Sequence, residues 1–142
     1  SMEEIAEAIM VATALKAGSA IAHGLNAFQA YDGENNEDLY QLSNIARFKE
    51  MNDLSPEAFR AFNKFDLEAL KPGLISKKDK ELIAVAIAHI TGCAYCIEIH
   101  VKNAKKLEVS REELAEAIFV ATALKAGSAL AHGVNALNAY DL

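Results

Sequence analysis

Apolar residues recur every three or four positions along almost the whole chain, and no stretch alternates apolar and polar residues with a period of two. That periodicity predicts an all-α protein. Apolar residues fill Leu82 to Ile90 behind Ser76, which can cap a helix starting near Lys77. Thr91-Gly92 breaks the pattern, and a further helix is predicted from Cys93 through Lys106. Upstream, Leu39 to Met51 reads as a helix with Tyr40, Ile45 and Phe48 as its apolar stripe, and Asn52-Asp53-Leu54 ends it. Ser55-Pro56 starts another, with serine as cap and proline at the first helical position. Phe59, Phe62, Phe65 and Leu70 would form its buried face, and Lys71-Pro72-Gly73 would stop it.

The two ends of the chain carry one pattern twice. Residues 3–32 repeat residues 112–141 at a constant offset of 109; the thirty pairs differ at six, leaving 24 identities, and five of the six changes exchange one apolar residue for another. The capping boxes Ser1…Glu4 and Ser110…Glu113 agree as well. Each copy is predicted to form a helical pair: an amphipathic helix, a glycine-serine junction at Gly18-Ser19 or Gly127-Ser128, and an alanine-rich second helix. The N-terminal copy could pack against its twin within one chain, exchange with a neighbouring subunit, or have no special role. Between the N-terminal copy and the rest, the acidic stretch 33–38 is the best linker. The chain reads as one domain over residues 1–142.

Composition narrows the function classes. Of 142 residues, 52% are hydrophobic, enough for one buried core. The net charge of −6 argues against a nucleic-acid groove or an anionic membrane surface. No cationic segment precedes an apolar one at the start, and the uncharged run Leu82–Ile97 is short for a spanning helix. Two closely spaced cysteines fit cytoplasmic redox chemistry better than a secreted disulfide scaffold. The basic run Lys71, Lys77, Lys78 and Lys80, interrupted by Asp79 and Glu81, reads as a solvated helix start.

Candidate chemistry concentrates between Glu81 and His100. Cys93, Cys96 and His100 fall on one stripe of a helix, with Cys93 in its first turn. A helix N-terminus favours a thiolate, and a C-x-x-C pair there can close to a disulfide. His100 can activate Cys96 as an adjacent base, and Glu81 could fold back to orient it. The same residues admit other readings: two cysteines, a histidine and a glutamate could hold zinc, or the cysteines could be a small buried pair. Tyr95 is either a proton donor or a packing residue. His23 and His132 hold matching repeat positions and read as core or interface histidines, with the alternative that His132 reaches the cysteine site. His89 reads as a hydrogen-bonded core histidine.

The pattern E-x11-C-x-Y-C-x3-H, with the preceding PGLISKKDKELIAVA and the following EELAEAI, resembles the alkylhydroperoxidase D / carboxymuconolactone decarboxylase family over roughly residues 55–141. The resemblance implies a compact helical bundle, a homo-oligomer and a peroxidase or disulfide reductase. It also implies roles: Cys96 attacks a small hydroperoxide, Cys93 resolves the product to a disulfide, and Glu81 and His100 relay the proton. The helix-dipole argument instead favours Cys93 as the more acidic thiol; Cys96 is preferred because it lies one turn from His100. No metal or organic cofactor is required; the reductant would be an external dithiol, lipoyl or thioredoxin-like. The alternatives are a decarboxylase using Glu81 and His100 on a small acid, or a non-catalytic helical scaffold or redox sensor.

Overall fold

The computed structural model describes residues 1–31 and 40–141 of the chain, so the linker assigned to 33–38 lies outside it. The described residues are helical, with no strand among them. The order is α1 (Met2–Tyr31), a 3-10 segment (Leu42–Arg47), α2 (Phe48–Leu54), α3 (Pro56–Leu70), α4 (Lys77–Thr91), α5 (Ala94–Lys106) and α6 (Arg111–Tyr140). Helix α4 is central: α1, α5 and α6 all pack on it, and α1 also packs on α3. Val11, Leu15, Leu70, Ala84, Ala88, Cys93, Tyr95 and Cys96 form the core, so the chemistry-bearing stretch and the hydrophobic core are the same place.

Local signals explain the joints that matter. Ser76 Oγ accepts from Asp79 N–H and starts α4. At its other end Gly92 adopts φ +69°, a left-handed conformation that costs a side-chain-bearing residue about 1 kcal/mol or more. Gly92 and Cys93 both donate to Ala88 O, which turns the chain back so that α5 lies along α4. Cys93 is the N-cap of α5 rather than its first residue: it sits in extended backbone and its Sγ accepts from Cys96 N–H at 3.3 Å.

Several expectations need correction. Residues 42–54 form a 3-10 segment followed by α2, where one helix from Leu39 to Met51 was expected. Ser55 precedes Pro56 at the start of α3 but makes no capping hydrogen bond. Phe65 points away from Phe59 and Phe62, toward Glu7, Met10 and Lys80. The basic run is not simply solvated. Lys80 is 3% exposed, and its Nζ donates to Ala69 O and Lys71 O and pairs with Glu7 Oε2 at 3.0 Å. It therefore satisfies carbonyls left open at the C-terminal end of α3. Glu7 in turn accepts from Leu74 and Ile75 N–H. Its carboxylate fills the space beside Gly73, where a Cβ would come within 2.5 Å of Oε1.

The repeat also departs from its expected form. Each copy is one continuous 30-residue helix, α1 or α6, not a pair; Gly18-Ser19 and Gly127-Ser128 interrupt neither. Alanine-rich flanks carry the i to i−4 hydrogen bonds through a lone glycine at modest cost. The twins do not pack extensively on each other; both dock on α4. They do so through different faces of nearly identical sequence. On α1, Val11, Ala14 and Leu15 are buried, whereas Ile5 and Ile9 are more than half exposed. On α6 the counterparts reverse: Leu114 and Ile118 are half-buried, while Val120 and Leu124 are 58% and 62% exposed. A Lys78–Glu113 ion pair at 2.7 Å and the Ser110–Glu113 capping box fix the start of α6 on this face. By length and composition α6 could cross a membrane, and 6% of its most apolar window is buried.

Candidate active site

Glu81 on α4 and Cys93, Cys96 and His100 around α5 meet because the Gly92 turn lays the two helices side by side. Cys93 and Cys96 form a disulfide with a Cα–Cα separation of 5.3 Å, within the ordinary range. Cys93 is fully buried, while Cys96 is 7% exposed and faces an open cavity of about 510 Å³. His100 lies one turn beyond Cys96 and lines the same cavity. Its Nδ1 is 2.7 Å from Glu81 Oε2, which fixes the ring and leaves Nε2 as the other nitrogen for chemistry.

Glu81 has no solvent exposure. Lys77 Nζ lies 2.7 Å from Oε1, as a charge contact more than an aligned hydrogen bond. Burial opposes ionisation of Glu81, but the hydrogen bond from His100 and the ammonium charge of Lys77 outweigh it and hold the carboxyl below the usual glutamate value. Lys77 also donates to Leu70 O, so it ties the end of α3 to the site.

The cavity walls come from five helices, α4 contributing Lys77 and Glu81. Leu15 and Gly18 of α1, Phe48 of α2, Phe59, Phe62 and Leu70 of α3, and Ile99 of α5 make them largely apolar. Phe48 and Phe59 pack with centroids 6.1 Å apart, and Gly18 lets α1 approach the Phe62 ring, where a Cβ would meet it at 3.3 Å. Tyr95 is 1% exposed, packs edge-on against Tyr40 at 5.6 Å, and its hydroxyl accepts from Asn44 Nδ2 at 3.3 Å. Tyr95 is thus a packing residue whose hydroxyl is engaged by Asn44.

A model of the carboxymuconolactone decarboxylase family matches residues 56–139, more than half of the chain. The chain belongs to that family. It is 44% identical over 85 residues to an uncharacterised protein of the cox locus in Paracoccus denitrificans, covering 60% of this chain and 74% of that protein. It is 31% identical over 102 residues to an uncharacterised protein of Cupriavidus necator, covering 71% of this chain and 90% of the relative. No solved structure matches significantly.

Within this carboxymuconolactone decarboxylase family member, the four residues singled out by spacing, Glu81, Cys93, Cys96 and His100, come together as one cluster. His132 does not join them. It is exposed on α6, where its Nδ1 lies 3.4 Å from Ser128 Oγ. The His23 side chain lies outside the described set. His89 is half-buried and bonds Val85 O at 2.8 Å. Among the described residues no group of three or more His, Cys, Asp or Glu is placed to hold a metal ion. Sequence reasoning missed Lys77 and Asp66, which line the cavity. Lys77 sits at i−4 from Glu81, a spacing that signals an ion pair. Asp66 sits one turn after Phe62 on the apolar face of α3, where a carboxylate is out of place.

Proposed function

We propose that the protein is a thiol-dependent hydroperoxide reductase or disulfide oxidoreductase. The observation that carries this reading is that Cys96 and the Glu81–His100 pair open onto one cavity while Cys93 lies bonded beneath it. The relative exposure of the two sulfurs supports Cys96 as the attacking group and Cys93 as the resolving one.

In the reduced protein His100 takes the Cys96 proton, with Glu81 stabilising the imidazolium. The Cys96 thiolate attacks the outer oxygen of a hydroperoxide: the S–O bond forms, the O–O bond breaks, sulfur loses two electrons, and the departing alkoxide takes up a proton to leave as an alcohol. The Cys93 thiolate displaces hydroxide from the sulfenic acid, and the hydroxide takes the proton held by His100, giving the disulfide and water. An external dithiol, lipoyl or thioredoxin-like, returns two electrons by thiol–disulfide exchange. No metal or organic cofactor enters the cycle. A homo-oligomer and a reducing, cytoplasmic setting are part of this proposal.

The test is hydroperoxide consumption by the reduced protein with excess dithiol, beside Cys96→Ser and Cys93→Ser. The expected result is multiple turnovers that vanish with Cys96→Ser and stop after one oxidation with Cys93→Ser. No turnover with any hydroperoxide and dithiol would overturn the peroxidase reading. Activity on a small carboxylic acid that survives loss of both cysteines would replace it with decarboxylation.

A further inference from the structure

The cavity holds a carboxylate that the proposed cycle does not use. Asp66 projects from the apolar face of α3, between Phe62, Asn63 and Leu70, into the space that Cys96 and His100 line from α5. Helices α3 and α5 barely touch, so the cavity lies between them. Asp66 is half-buried and makes no hydrogen bond or ion pair among the described residues, unlike Glu81 nearby. Among the described residues, the charged groups facing it are His100 from α5, Lys77 and Glu81 from α4, and Lys71 just beyond its own helix; the described side chains of α1 and α2 that line the cavity are Ala14, Leu15, Gly18 and Phe48.

Resting on the peroxidase reading, we propose that Asp66 is the acid that protonates the departing oxygen of the hydroperoxide. Displacement at oxygen is in line: as the S–O bond forms, the second oxygen leaves on the side remote from sulfur. His100 sits one turn from Cys96 on the same helix and serves the attacking sulfur. The leaving oxygen moves away from α5 into the cavity, where Asp66 is the unpartnered carboxyl. The step balances: thiolate and hydroperoxide give sulfenic acid and alkoxide, and the alkoxide takes the Asp66 proton to become the alcohol. The resulting carboxylate recovers its proton from water at the cavity mouth. Burial favours the protonated form of Asp66 and raises its pKa above the ordinary aspartate value; the positive charges of His100 and Lys77 oppose this, and Glu81 adds to it.

The proposal separates two reactions of one sulfur. Alkylation of Cys96 by iodoacetamide expels iodide, which needs no proton. Reaction with tert-butyl hydroperoxide expels an alkoxide, which does. Both rates would be measured in a Cys93→Ser background, with and without Asp66→Asn, following Cys96 by mass spectrometry. The expected result is a loss of about 10²-fold or more in the hydroperoxide rate with the alkylation rate nearly unchanged. The ratio of the two rates should fall as pH rises with Asp66 present and be flat with Asp66→Asn. Equal losses in both reactions, or no loss in either, would overturn the role of Asp66 and leave the peroxidase reading standing. An Asp66-containing protein that alkylates normally but consumes no hydroperoxide would overturn the peroxidase reading and this proposal with it.

Discussion

Glu81 Oε2 lies 2.7 Å from His100 Nδ1, and neither atom would be in reach of the other without the reversal at Gly92. The contact joins two helices and sets the ring that lines the cavity with Cys96. Glu81→Gln keeps the shape and removes the charge that stabilises an imidazolium. We expect hydroperoxide turnover to fall about tenfold, less than the ~10²-fold or more supplied by a group that transfers the proton itself. Steady-state assays, with circular dichroism to check the fold, would decide it.

The same pair makes stability depend on pH in a defined direction. The folded-state pKa of Glu81 is depressed, so its contribution is fully present above the ordinary value of 4.5 and is lost as pH falls through the lower folded value. Urea midpoints of the natural protein and Glu81→Gln should differ by a constant amount above about pH 5.5 and converge below pH 4.5. A difference that does not shrink on acidification would count against this assignment.

Asp66 carries the opposite sign. Its folded pKa is raised by burial, so ionising it costs the folded state stability as pH climbs above the ordinary value of 3.8. Asp66→Asn should therefore unfold at a slightly higher urea concentration than the natural protein at pH 7 and at the same concentration near pH 3. Equilibrium unfolding at the two pH values tests this without reference to activity.

Lys80 is a buried cation with three acceptors around it. Lys80→Met fills the volume but strands Ala69 O and Lys71 O. The loss should be about 3 kcal/mol, from unmet buried acceptors and a broken pair. Chemical denaturation would measure it, and a change under 1 kcal/mol would mean that water replaces the ammonium.

Leu15 and Leu124 permit one substitution in two settings. Leu15 is 3% exposed against the core and Leu124 is 62% exposed. Leu15→Ala should cost about 2–5 kcal/mol, and Leu124→Ala no more than about 0.5 kcal/mol. Paired unfolding curves would read both.

Much of this was legible in the chain. Period 3.6 throughout gave the all-helical class, and Ser76, Thr91-Gly92 and the C-x-x-C-x3-H spacing located α4, the turn and the reactive stripe before any coordinates. What stayed hidden depended on neighbours distant in sequence. Lys80 looks like one more surface lysine until Glu7 and the end of α3 close over it. Asp66 looks solvated because nothing in α3 alone reveals the cavity it faces. The Gly-Ser junctions resemble helix breaks, yet alanine on both sides carries the helices through. His132 is a counterexample: it read as a core or interface histidine, with reach to the cysteine site as the alternative, and the fold leaves it exposed on α6.

The opposite docking of α1 and α6 has a consequence for how the chain reaches its native state. Nearly the same thirty residues own two adhesive stripes, and two seats on α4 each accept one of them. Side-chain chemistry alone hardly distinguishes which copy belongs in which seat, since 24 of 30 positions are the same. Tether length breaks the tie. Four residues, 107–110, join α6 to α5, whereas α1 is joined to the 3-10 segment through residues 32–41. The arrangement is thus selected by connectivity, and a chain whose tethers were lengthened would have two competing ways to fold.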